Sequence, residues 1–173
     1  MLRRRLQFAA AVLFAAVLPG QALAQRAIFV VRHAERAREG PEADIPLSKL
    51  GAEHAAHLAE ILKNAGVTAI YATDTTRARQ TGEPLAQLAK LSIKTYDTRD
   101  DKGNMTAAPF AAKLKADERN GVVLVVGHSN TVPDILAACG ATEPVRIGPD
   151  EYGDLFLLVP QASGAPLLFR LRF

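Results

Sequence analysis

The sequence predicts an α/β fold: a three-layer sandwich with a mostly parallel central sheet, helices on both faces and one antiparallel strand near the C-terminus. Three observations carry this. Two short β-branched runs, Ala27-Ile28-Phe29-Val30-Val31 and Val122-Val123-Leu124-Val125-Val126, have the character of strands buried on both faces. Strand-like stretches alternate with helical ones, which is the pattern of a parallel sheet covered on both sides. The last two strand candidates, Leu155 to Val159 and Leu167 to Phe173, lie too close together for a helical crossover. They are expected to pair as a hairpin, so one of them runs against the rest.

The elements follow in order. Residues 1–24 begin with Arg3, Arg4 and Arg5, continue through an apolar run from Leu6 to about Leu18, and end on Ala22-Leu23-Ala24. This is the layout of a signal peptide, cut between Ala24 and Gln25. The apolar run is short for a membrane span of ~20 residues, so no stable anchor is expected after cleavage. Residues 25–173 then form one domain. A polar loop follows the first strand, from Glu35 to Pro46. Ser48 caps a helix bearing Leu50, His54, Leu58, Ile61, Leu62 and Ala65, closed by Gly66. Val67 to Ala72 is a strand, Arg77 to Leu88 a helix, Ile93 to Tyr96 a strand and Ala107 to Asn120 a helix. Thr131 to Cys139 is a helix with Pro133 in its first turn, where the missing N–H is harmless.

Composition excludes several classes. The full chain of 173 residues carries a net charge of +3. The leader holds three arginines and no acid, which leaves 18 basic and 18 acidic residues in the 149 that follow. No general affinity for nucleic acid is expected from such a balance. Cys139 is the single cysteine, so no intrachain disulfide can form, and its apolar helical setting predicts a buried core residue. His54 and His57, with Glu53 beside them, read as a helix-surface pair rather than a metal site; no metal and no cofactor is expected.

Two strands end on histidine: Arg32-His33 closes the first run and Gly127-His128 the second. Ligands of open α/β sheets bind outside the carboxyl ends of the strands. Neighbouring strands would bring two imidazoles and a guanidinium together there, a plausible phosphate site. Both Arg32 and His33 can serve one site only if the chain turns directly after the strand, because successive strand residues point to opposite faces. In Thr73-Asp74-Thr75-Thr76-Arg77-Ala78-Arg79-Gln80-Thr81 another strand gives way to a helix. Arg77 in the first helical turn opposes the helix dipole. A bound anion would supply a reason for it; Arg79 reads as a solvated charge. Gly127 permits close backbone approach, and Ser129, Asn130 and Thr131 are all good caps for the helix that follows.

Arg32-His33-Ala34-Glu35, Arg77-Ala78-Arg79-Gln80-Thr81 and Gly127-His128-Ser129 resemble, in order and spacing, the three signatures of the histidine phosphatase superfamily. The resemblance implies that His33 is the nucleophile, held neutral on its attacking nitrogen, and that Arg32, Arg77 and His128 surround the phosphoryl group with Ser129 in the substrate site. It implies a phosphohistidine intermediate and no metal. The family usually adds a proton-donating carboxylate, and here the sequence departs from the acid-bearing segment of the phosphoglycerate mutase branch. Asp97, Asp100 and Asp101 of the charged loop are candidates, Asp100 foremost, and Glu35 is a further one. The small phosphohistidine phosphatases of the superfamily do without such an acid.

These readings add up to a small, exported, metal-independent phosphatase, secreted or periplasmic, acting on phosphomonoesters or phosphoramidates. Its partner is a phosphorylated substrate, either a small molecule or a cell-envelope component. The competing readings are a phosphate- or polyanion-binding protein of the same fold without turnover, and a phosphomutase. Short connections between the motifs leave no room for a large cap domain, so an open site is expected.

Overall fold

The computed structural model describes residues 27–41, 45–118 and 121–173. The leader and its cleavage site lie outside the described residues. The elements run β1 (Ala27–Arg32), α1 (Lys49–Leu62), β2 (Val67–Ala72), α2 (Thr76–Ala89), β3 (Ile93–Thr95), α3 (Ala108–Asp117), β4 (Val122–Gly127), α4 (Thr131–Ala138), β5 (Asp154–Val159) and β6 (Leu167–Arg172). They form one six-stranded sheet in the order β3-β2-β4-β1-β5-β6. Strands β1 to β4 are mutually parallel, β5 runs antiparallel to β1, and β6 pairs antiparallel with β5. This is the predicted sandwich with its single reversed strand.

Strand alternation divides the core into two layers. Ile28, Val30, Val123 and Val125 face α3 and α4, where Phe110, Leu114, Ile135 and Leu136 close over them. Val31, Leu124 and Val126 face α1 and α2, meeting Leu58, Leu62, Ala78 and Leu85. Cys139 is buried in the first of these layers, and burial pushes its thiol up to about 11.

Helix α1 corrects the predicted stripe. Its buried residues are Gly51, Ala55, Leu58, Ala59 and Leu62, whereas Leu50 and Ile61 are 50% and 43% exposed. The small residues win this face because the helix lies hard against the chain after β1: a Cβ on Gly51 would sit 2.1 Å from the Glu35 carbonyl oxygen. Ser48 caps the helix as expected, its hydroxyl accepting from the Gly51 N–H at 3.0 Å. Helix α3 is shorter than predicted at both ends.

The carboxyl ends of β1, β2 and β4 lie side by side. Arg32 is in register with Gly127 across β1 and β4, and Ala72 with Val126 across β2 and β4. Three strand-to-loop junctions therefore open at one edge of the sheet, the crevice where such folds bind ligands.

Candidate active site

His33 follows β1 and prolongs its pairing by one residue, its N–H donating to the Gly127 carbonyl at 2.9 Å. The next N–H, of Ala34, donates to Thr81 Oγ1 at 3.0 Å, and that hydroxyl donates to the Arg77 carbonyl at 2.8 Å. One threonine of α2 thus fixes the turn after the strand and ties it to the first turn of the helix carrying Arg77. This is the turn that lets Arg32 and His33 face one cleft.

His33 is 4% exposed. Its Nδ1 lies 2.7 Å from the Ala34 carbonyl. A carbonyl can only accept, so Nδ1 carries the proton and Nε2 the lone pair. Burial, followed by the nearby His128, Arg77 and Arg32, lowers the imidazole to about 3, against the opposing pull of the Ala34 carbonyl. The ring is neutral at physiological pH. Arg77, itself buried, donates from Nε to His33 Nε2 at 3.2 Å.

His128 stands beside it, the two ring centres 5.1 Å apart and nearly perpendicular. Its Nε2 is 2.8 Å from Thr73 Oγ1, at the end of β2. Its backbone N–H donates to Thr131 Oγ1 at 2.9 Å. That hydroxyl occupies the space a Cβ on Gly127 would need, at 2.7 Å, which explains the glycine. Of the three expected caps, Asn130 stands at the N-cap without a side-chain hydrogen bond, and Thr131 serves His128 instead.

A cleft of about 860 Å³ opens here, and Arg32, His33, Arg77, His128 and Ser129 all line it. A single phosphate fills a small part of that volume, so there is room for the group that carries it. Sequence reasoning does not reach Thr73, Thr81 and Tyr152. Thr73 has a usable signal, since it ends a strand at the same sheet edge. Tyr152 has none.

The carboxylates are placed otherwise. Asp100 does not line the cleft: Oδ1 accepts the N–H groups of Lys102 and Asn104 at 2.9 and 2.8 Å, and Oδ2 accepts Asn104 Nδ2 at 2.9 Å. It is a turn-capping residue, and these bonds, the Asn104 side chain first, lower its pKa. This placement aims its carboxylate at its own turn and not at the cleft. Asp101 is exposed in the same turn. Glu35 turns to α1 and meets His54 Nδ1 at 2.8 Å. Asp97 reaches the cleft wall, but Arg99 Nε contacts both its oxygens at 3.1 Å and lowers its pKa. Arg79 is exposed and holds Asp74 at 3.0 Å and Thr95 at 2.9 Å. Among the described residues, no three His, Cys, Asp or Glu side chains gather to hold a metal ion.

Residues 28–99, spanning β1 to the loop after β3, match the model of the histidine phosphatase superfamily (branch 1). Over that segment this chain is similar to the histidine phosphatase superfamily. Solved structures share its fold. The protein histidine phosphatase SixA, complexed with tungstate, superposes with a TM-score of 0.70 at 20% identity, over 84% of this chain and 96% of its own. A mycobacterial glucosyl-3-phosphoglycerate phosphatase with inorganic phosphate gives 0.61 at 19% identity, over 84% and 95%. A comparison with curated protein sequences finds no significant match. The three segments that carry the resemblance meet at one cleft, while the acidic loop is committed to local turn contacts.

Proposed function

We propose that this chain is a metal-independent phosphatase that works through a phosphohistidine on His33. The observation that carries the reading is how the imidazole is held: Nδ1–H is fixed by the Ala34 carbonyl, and Nε2, which accepts from Arg77 Nε, lies at a cleft lined by Arg32, Arg77 and His128. Nε2 attacks phosphorus in line, the N–P bond forms as the bond to the leaving group breaks, and water then cleaves N–P to release phosphate. The guanidinium groups and His128 donate to the phosphoryl oxygens as their charge redistributes; positioned donors of this kind supply most of the catalysis in phosphoryl transfer.

The leaving group follows from the carboxylates. Asp97 is held by Arg99, Asp74 by Arg79 and Glu35 by His54, so each of these carboxylates is taken up by a basic neighbour rather than aimed at a leaving group. Substrates whose leaving group departs without a strong acid, aryl phosphates and phosphoramidates, are favoured over alkyl phosphates. The open cleft suits a phosphate displayed on a larger body, such as a cell-envelope component reached after export through the leader. No helix among the described residues is long and apolar enough to cross a membrane.

Phosphate release from an aryl phosphate, compared between the native chain and His33→Ala, tests the reading. The variant is expected to lose turnover and to keep phosphate binding. Phosphate trapped on the native protein should be acid-labile and base-stable. A chain that binds phosphate with no turnover would instead be a binding protein, and this mechanism would fall.

A further inference from the structure

Arg32 is gripped from behind by the loop between α4 and β5. Its Nη1 donates to the carbonyls of Gly148 and Glu151 at 2.9 and 2.8 Å, and its Nη2 to the Tyr152 hydroxyl at 3.2 Å. The guanidinium carbon stands 4.0 Å from the centre of the Tyr152 ring, a cation–π distance. Three of the four terminal N–H groups are therefore committed to the protein. Of the donors left over, Nε is buried without a hydrogen-bond partner among the described residues. A buried N–H with no acceptor is costly, and Arg32 lines the cleft. The Tyr152 ring centre is 6.1 Å from that of His33.

The loop is fixed in turn by the C-terminal hairpin. Glu151 Oε2 accepts the Gly148 N–H at 2.8 Å, which closes the loop on itself. Arg170 of β6 reaches Glu151 at 3.7 Å and holds the buried carboxylate of Asp154 through two contacts at 3.0 and 2.7 Å. Gly153, at φ +82°, turns the chain between Tyr152 and Asp154, a conformation that favours glycine. Its carbonyl accepts the N–H of Phe173 at 2.9 Å. The reversed pair of strands thus ends in a cradle for one guanidinium.

We propose that Tyr152 is a positioning residue for the reaction: with the Gly148 and Glu151 carbonyls it locks Arg32, so that this side chain meets the phosphoryl group through the donors left over, Nε first among them. The inference rests on the phosphatase reading above for its substrate. Arginine is a long, flexible side chain, and one held before the substrate arrives loses less freedom on binding. A mislaid donor in a site that works by alignment loses rate steeply.

The test is a double-mutant cycle of Tyr152→Leu and Tyr152→Phe in the native and Arg32→Ala backgrounds. It is read by kcat/KM on an aryl phosphate and by calorimetric affinity for orthovanadate. Tyr152→Leu removes ring and hydroxyl and is expected to lower both readouts about tenfold, Tyr152→Phe roughly threefold. Because the residue acts through Arg32, each change is expected to be less than about twofold once Arg32 is alanine. Equal losses in both backgrounds, or no loss with native Arg32, would overturn the proposal. If Tyr152→Leu fails to fold, Tyr152→Phe carries the same cycle, and its coupling to Arg32 supports or overturns the proposal in the same way. A chain with no turnover whose vanadate affinity still shows the coupling would refute the phosphatase reading alone. A chain that neither binds vanadate nor turns over would refute both.

Discussion

Burial of a neutral histidine makes the protein sensitive to acid in a way that can be assigned to one ring. The folded state holds His33 at about 3, chiefly because the site is desolvated and then because His128, Arg77 and Arg32 crowd it. In the unfolded chain the same imidazole titrates near its ordinary ~6.5. A group whose folded pKa is depressed adds stability above the unfolded value, and that stability is lost as pH falls toward the folded one. The window here runs from about 6.5 down to about 3. At pH 4.5 an unfolded imidazole is protonated roughly a hundredfold over neutral while the folded one stays neutral, which shifts folding by ~2.7 kcal/mol; at pH 7 the shift is close to nothing. The perturbation is His33→Gln, which removes the titration. Urea unfolding of both proteins at pH 7 and pH 4.5 is the assay. Carboxylates titrate alike in the two, so the difference between their pH responses isolates the ring. The native protein is expected to lose about 2 to 3 kcal/mol more than the variant on acidification. Parallel losses would refute the buried neutral imidazole, and with it the nucleophile assigned to this position.

Three further outcomes follow. Arg77→Ala is expected to lower kcat/KM on an aryl phosphate by ~10²–10³, the usual scale for a lost transition-state donor; a tenfold effect would place Arg77 outside the reaction. Asp100→Asn should leave kcat within about twofold, because the carboxylate caps its own turn rather than facing the cleft; a large loss of rate would make it a proton donor after all. Gly51→Ala should lower the urea-unfolding free energy by about 3 kcal/mol or more, since the new methyl would meet backbone rather than a movable side chain. A nearly native midpoint would mean that α1 can slide away from Glu35 without penalty.

How much of the molecule is legible in the chain depends on the kind of contact involved. Strands β1 and β4 announce themselves because a strand buried on both faces must be apolar throughout, and the first polar residue then marks its end. That same rule locates His33 and His128. Helix α1 defeats the pattern because hydrophobicity stands in for burial only when helices pack at ordinary distance. Here the backbone after β1 comes so close that glycine and alanine take the inner face, and Leu50 and Ile61 are turned outward. Charge and place favour Asp100 as a proton donor, yet Asn104 four residues on supplies the local partner of a turn. Tyr152 cannot be found from sequence. It lies 120 residues from Arg32, and two of the loop's three acceptors are main-chain carbonyls that any residue provides.

The resting site also bears on how a reactive lone pair is kept in order. Arg77 Nε–H points at His33 Nε2, the atom proposed to attack. That contact joins two of the groups proposed to act in the reaction, and its cation lowers the basicity of the ring it touches. A neutral nitrogen is a weaker acceptor for a guanidinium than a phosphate dianion, because charge-assisted hydrogen bonds are roughly twice as strong as neutral ones. If the proposed reaction holds, an arriving phosphoryl group draws Arg77 off the imidazole and uncovers the lone pair as its electrophile comes into place; a vanadate complex that keeps the Arg77 Nε to His33 Nε2 contact would refute this. Thr81 makes this exchange local: by tying the Arg77 carbonyl to the Ala34 N–H it holds the two backbones at fixed separation, so the switch of partners needs only side-chain motion.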